Sequence, residues 1–162
     1  MKTVGIVAEY NPFHFGHEYH IKKTREQIGE ECAVVCAMSG DFVQRGEAAI
    51  YSKFARAEAA ARSGADLVVE LPVPWALSSA EGFARGAVAL LGAVGAEYLN
   101  FGSEVGDVAP LRALADILAA PETNDRIKER LASDATLSYA AARQLAVRDA
   151  AGDKAALLEQ PN

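Results

Sequence analysis

Two histidines three residues apart, His14 and His17, flank a glycine in the string Asn11-Pro12-Phe13-His14-Phe15-Gly16-His17. The string follows an apolar run and opens a stretch of helical periodicity, so both imidazoles can fall on one side of a helix entrance. Backbone N–H groups at a helix start lack intrahelical partners, and the helix dipole adds partial positive charge there. A phosphate is favoured at such a place. Gly16 has no side chain to hold a phosphate away. Each imidazole can donate a hydrogen bond to a phosphate oxygen, and either becomes a cation if its pKa rises beside that charge. His20 continues the three-residue spacing. Taken singly, these histidines read as caps or surface groups, and a pair at this spacing could hold zinc, although no third ligand is obvious. No Ser/His/Asp or Cys/His arrangement points to a covalent nucleophile.

The elements that must position this string follow from hydrophobic patterning. Residues 3–9 form an almost continuous apolar run ending at Tyr10-Asn11-Pro12, the pattern of a buried parallel strand. Further runs cover 32–38, ending at Ser39-Gly40-Asp41; 66–70, ending at Leu71-Pro72; and 98–101, ending at Gly102-Ser103-Glu104. Helical patterns lie between them. They cover 15–28; 52–63, with Phe54, Ala57 and Ala61 on one face; and 80–92, with Phe83, Ala87, Leu90 and Leu91 together. Asp107 is a plausible N-cap for a helix striped by Leu111, Leu114, Ala115 and Leu118. Two more helices are expected near 125–132 and 139–150. Parallel neighbours need crossover helices, so this alternation predicts an α/β fold with a doubly wound parallel sheet and extra C-terminal helices, in a single domain over 1–162. Loops leaving the carboxyl ends of such strands face the ligand crevice. The polar, glycine-bearing segments 10–17, 39–47, 72–82 and 102–107 fall at those ends.

Composition sets outer bounds. The 162 residues carry a net charge of −6 with no dense Lys/Arg block, so an RNA partner is not something composition suggests. No apolar run approaches the roughly 20 residues that span a bilayer, and the N-terminus lacks a signal-peptide pattern. The expectation is a cytoplasmic protein with no membrane partner. Cys32 and Cys36 are four apart in one apolar run. On a strand that separation is about 13 Å, too far for a disulfide, and they read as reduced core thiols. Trp75 reads as packing rather than a base-stacking platform, Ser78, Ser79 and Glu81 as a helix N-terminus, and Lys53 and Arg56 as a solvated helix face, with a phosphate contact as the alternative.

The HxGH signature belongs to the HIGH-type nucleotidyltransferases, and the longer string Gly5-Ile6-Val7-Ala8-Glu9-Tyr10-Asn11-Pro12-Phe13-His14-Phe15-Gly16-His17 narrows the likeness. With Met38-Ser39-Gly40-Asp41-Phe42-Val43-Gln44-Arg45-Gly46-Glu47, Gly64-Ala65-Asp66-Leu67-Val68-Val69-Glu70-Leu71-Pro72 and Asn100-Phe101-Gly102-Ser103-Glu104, the chain resembles the tRNA(Met) cytidine acetate ligase family. The likeness extends to Leu157-Leu158-Glu159-Gln160-Pro161-Asn162. It implies a Rossmann-like sheet of the HIGH kind. The implied ATP site runs through Val7, Ala8, Glu9, Tyr10, Asn11, Pro12, Phe13, His14, Phe15, Gly16, His17, Glu18, Tyr19 and His20, with Gly102 and Asn162 as further contacts. His14 and His17 would act on the phosphates.

The segment from Asp41 to Gly46 is a solvated turn on one reading. On the other, Gln44 or Arg45 faces acetate or its phosphate, since an arginine fork pairs with such groups bidentately. Asp41 would then orient the arginine or help hold Mg²⁺ through water. With His14 and His17, Asp41 and Arg45 make the expected catalytic set, with no protein-bound metal site.

The implied reaction activates acetate with ATP and passes the acetyl group to the wobble cytidine of elongator tRNA(Met). Catalysis would rest on positioning and charge stabilisation. Family members run longer, with a later Ser-rich, Arg-containing loop over the triphosphate and a C-terminal helical region. Those segments would carry much of the charge stabilisation and the tRNA surface, so the expectation for this chain alone is weak ATP binding and tRNA acetylation that is poor or absent. Two other readings stay open: an adenylyltransferase acting on a phosphorylated metabolite or nucleotide, and a non-catalytic ATP-binding module.

Overall fold

The computed structural model describes residues 1–104 and 106–152. They fall into two compact units, Met1–Phe101 and Gly102–Asn162. In the first, strands β1 (Thr3–Ala8), β2 (Ala33–Ser39), β3 (Leu67–Leu71) and β4 (Tyr98–Leu99) form one parallel sheet in the order β3-β2-β1-β4. Crossover helices α1 (Phe15–Ile28), α2 (Lys53–Arg62), α3 (Val73–Ala76) and α4 (Ala80–Ala93) connect them. β1 is central, pairing Thr3 to Ala8 with Ala33 to Met38 on one side and Val4-Gly5 with Tyr98-Leu99 on the other. The doubly wound parallel sheet is therefore present. β4 is shorter than the run 98–101 suggests, and the four-residue α3 has no counterpart in the sequence reading.

Alternation along β2 divides the core. Val34, Cys36 and Met38 pack with Val4, Ile6, Ile21 and Ala60, and so under α1 and α2. Val35 and Ala37 pack with Leu71, Ala76, Ala87 and Leu91, under α3 and α4. Both faces are covered, which is why the strands read as continuous apolar runs. Cys32 and Cys36 are buried free thiols. Trp75 lies against Gly86, where a β-carbon would collide with the indole, so its role in packing is borne out. Ser79 caps α4 through Gly82 N–H.

Gly5 lets α4 approach the sheet closely, because a β-carbon there would stand 2.7 Å from Leu91 Cδ1. Leu91 is itself buried and has little room to move. Gly5→Ala is expected to destabilise the protein by about 1–3 kcal/mol, the usual cost of overpacking. A urea midpoint unchanged from the parent would contradict this.

One helix face is corrected. In α2 the buried residues are Arg56 and Ala60, whereas Phe54 is 77% exposed and Ala61 is exposed. Arg56, expected on a solvated face, is only 1% exposed. An alanine-rich helix marks its inner face weakly, and a guanidinium can be buried where carbonyls receive its N–H groups. Here they do.

The second unit contains α5 (Val108–Ala119), α6 (Pro121–Ser133) and α7 (Tyr139–Ala151). Asp107 caps α5 by accepting from Ala109 N–H at 2.9 Å, as expected. Leu114 packs with Val147, and Ile127 with Ala142 and Ala146. Leu111 and Leu118 are half-buried, while Ala115 is exposed. No helix among the described residues is long and apolar enough to cross a membrane.

Candidate active site

The chain leaves β1 through Glu9 and turns at Tyr10, whose φ of 51° is left-handed. Burial holds Tyr10 in place: its hydroxyl lies 3.2 Å from Cys36 Sγ, and its ring meets Phe13 and His17 edge-on at 4.9 and 4.8 Å. Burial, reinforced by Cys36, pushes the phenol far above its ordinary pKa, so it is a neutral anchor. The loop then delivers His14 as the N-cap of α1.

The two imidazoles stack, with centroids 3.7 Å apart. Gly16 N–H donates to His14 Nδ1 at 3.1 Å, and His14 N–H donates to His17 Nδ1 at 3.2 Å. A nitrogen that accepts carries no proton, so both neutral rings must carry theirs on Nε2. The helix entrance thus offers two Nε2–H donors in a fixed tautomer. His17 is held near pKa 4, first by burial and then by His14 and His20. It is a neutral donor at pH 7, where sequence reasoning also allowed for a cation. Its pKa lies below the ordinary unfolded value of about 6.5, so the unfolded chain takes up the proton first. Stability should therefore fall as pH drops from about 6.5 towards 4, and His17→Asn should flatten that part of a urea-midpoint profile.

Gly16 has a role beyond leaving room for a ligand. A β-carbon at that position would lie 2.9 Å from His14 Cε1 and 3.0 Å from Nδ1, displacing the ring from its cap. His14 is exposed and can swing away. Gly16→Ala is thus expected to cost little stability but about tenfold in nucleotide affinity, roughly one lost charge-assisted hydrogen bond. Titration calorimetry with ATP would test it.

His20 turns from the entrance to the end of the sheet: its Nε2 is 2.7 Å from Asn100 Oδ1, and Asn100 Nδ2 donates to Gln27 Oε1 at 3.0 Å. Phe15 and Tyr19 stand exposed on α1, Phe15 at 88%, and Glu18 lies in the helix's first turn.

The segment after β2 is a closed loop. Val43 N–H donates to Glu47 O, Gly46 N–H to Val43 O, and Ala49 N–H to Asp41 O. Two side chains from the β1 exit clamp it: Glu9 Oε1 accepts from Gln44 N–H at 2.6 Å, and Asn11 Oδ1 from Ile50 N–H at 2.7 Å. The structure thereby joins segments 9–17 and 41–50. Gln44 Nε2 reaches Ser78 O at 3.3 Å. Arg45 is exposed and makes no hydrogen bond or ion pair among the described residues. Asp41 lies 3.6 Å from Lys53 Nζ, which sits more closely on Glu70, at 2.8 and 2.9 Å. Among the described residues no three His, Cys, Asp or Glu side chains group as metal ligands.

Gly102 belongs to the second unit, and Asn162 lies outside the described residues, as do 157–161. Val7, Ala8, Pro12 and Phe13 form the strand exit and loop that lead to His14. Glu70 and Asn100 were not singled out for this region by sequence reasoning, which allowed Lys53 and Arg56 a phosphate contact as the alternative to a solvated face. Only the position of Asn100 and Glu70 at strand ends could have signalled them.

A family model described as HIGH Nucleotidyl Transferase matches residues 1–162. The chain belongs to the HIGH nucleotidyl transferase family. It is 48% identical to the tRNA(Met) cytidine acetate ligase of Syntrophotalea carbinolica and 47% identical to that of Bacillus subtilis, covering all of this chain and 39% of each relative. The crystal structure of Thermotoga maritima TmcAL bound with alpha-thio ATP superposes with a TM-score of 0.89 at 41% identity, over all of this chain and 41% of that one. This member of the family thus spans about two fifths of the length of the relatives it matches.

Proposed function

We propose that this chain binds ATP at the entrance of α1 and activates acetate for transfer to a cytidine of elongator tRNA(Met). One observation carries the reading: two stacked imidazoles, each fixed by a backbone N–H on Nδ1, present Nε2–H donors at a helix N-terminus. The TmcAL structure bound with alpha-thio ATP supports the nucleotide, and the names of the relatives support the acceptor.

In this reading an acetate oxygen attacks the α-phosphorus, the bond to the bridging oxygen breaks, and pyrophosphate leaves. The product is acetyl-adenylate. The exocyclic amine of cytidine attacks its carbonyl, AMP departs, and the amine proton is lost to solvent. His14 and His17 hold the phosphates, while Arg45 and Gln44 meet the acetate carboxylate beside Asp41. The described side chains form no cage for a resident Mg²⁺, since Asp41 is largely exposed and its partner is Lys53. A Mg²⁺ would travel with the triphosphate, and no step here depends on it.

The deciding experiment is ATP–pyrophosphate exchange by this chain, with and without acetate. Acetate-dependent exchange supports the reading. Exchange that needs a phosphorylated acceptor instead, or nucleotide binding with no exchange under any acceptor, overturns it.

A further inference from the structure

Three carbonyls converge on one buried guanidinium. Arg56 Nε donates to Tyr51 O at 3.0 Å, one terminal nitrogen to Glu9 O at 2.5 Å, and the other to Gly40 O. Glu9 and Gly40 are each the first residue beyond a strand, β1 and β2 respectively. From these two points the chain runs on to His14 and to the Asp41–Ile50 loop. Arg56 is therefore a bolt across the exits of two neighbouring strands, placed under both halves of the proposed site. Its burial is costly: desolvation lowers its pKa, opposed by Asp41, Glu9 and Glu70. An apolar side chain would fill a helix–sheet contact without that cost, whereas a planar fork fixes three acceptors at set angles.

We infer that Arg56 is a positioning residue, which sets the span between the His14/His17 entrance and the Asp41–Ile50 loop and so the approach of the carboxylate to the nucleotide. The inference rests on the proposed chemistry. Neither substrate need touch Arg56. The same span is bridged by Glu9 to Gln44 N–H and Asn11 to Ile50 N–H, but both of those acceptors ride on the β1 exit that Arg56 holds. Lysine at this position keeps the charge but cannot present three donors in one plane.

The test is R56K, assayed where melting shows it fully folded. ATP affinity should stay within about threefold of the parent, because the stacked imidazoles do not depend on the bolt. The turnover number for acetate-dependent exchange should fall about 100-fold, as much as a misplacement near 1 Å can cost. A merely structural arginine would leave both constants of the folded variant unchanged, and that result overturns the inference. Equal loss of ATP affinity and turnover also overturns it, since Arg56 would then hold the nucleotide site itself. A parent without acetate-dependent exchange would defeat the proposed reaction, and amide hydrogen exchange then decides the role of Arg56. Faster exchange in R56K at Gln44, Ala49 and Ile50, with His17 and Glu18 unchanged, keeps the bolt, and a uniform or absent change removes it.

Discussion

Replacing both His14 and His17 by asparagine should weaken ATP binding by about 100-fold or more while the fold stays intact. Asparagine is the informative choice because its carbonyl oxygen can stand where Nδ1 accepts the backbone N–H, and it is a good N-cap. The variant thus keeps the two caps at Gly16 and His14 and loses the outward Nε2–H donors, together with the ring contacts of His17 to Tyr10 and Phe13. A hydrogen bond to a charged group contributes about 1.5–3 kcal/mol, or roughly tenfold to 100-fold in affinity for each donor. The rings are stacked at 3.7 Å, so the two substitutions should not add simply. Alanine at both positions would lower affinity at least as far, but it also strips the cap and uncovers Tyr10 and Phe13. Titration calorimetry on the asparagine pair therefore separates phosphate binding from helix capping. Unchanged affinity would remove the phosphate from this end of α1.

This site was largely legible in the sequence because its parts are local. A buried strand, a tight exit and a helix start occupy consecutive residues, and the spacing of His14 and His17 already places them together. The tautomer was not legible, because it depends on which backbone N–H each Nδ1 meets. Between elements the sequence was less informative. The clamps from Glu9 to Gln44 and from Asn11 to Ile50 span 35 and 39 positions, and no periodicity marks them. Arg56 shows the limit best. Its neighbours in Lys53-Phe54-Ala55-Arg56-Ala57 suggested an inner Phe54 and an outer arginine, and the structure reverses them. Alanines on every side allow either phase, so three carbonyls that the guanidinium can reach only from the inner face decided it. The sheet was legible for the opposite reason: its central strands β1 and β2 are covered on both faces and are apolar almost throughout.

Arg45→Ala should raise the KM for acetate by roughly tenfold to 100-fold and leave ATP affinity within about threefold. Of the cations around the Asp41–Ile50 loop, Lys53 is committed to Glu70 and Arg56 to three carbonyls. Arg45 alone among these three has no such partner among the described residues. The loop that carries it is closed by its own backbone bonds and clamped by Glu9 and Asn11, so the guanidinium projects from a fixed base. From that base a planar fork can receive a small carboxylate bidentately, against the cost of ordering one arginine side chain. The effect should lie in KM because the arginine binds acetate's carboxylate in the ground state, before charge moves to phosphorus. Arg45→Lys should recover part of it, as a point charge without the paired donors. A fall in turnover at saturating acetate with KM unchanged would mean that Arg45 instead stabilises charge on the α-phosphate. An unaltered profile would exclude Arg45 from acetate binding and leave Gln44, through its side-chain amide, as the other residue expected to meet acetate.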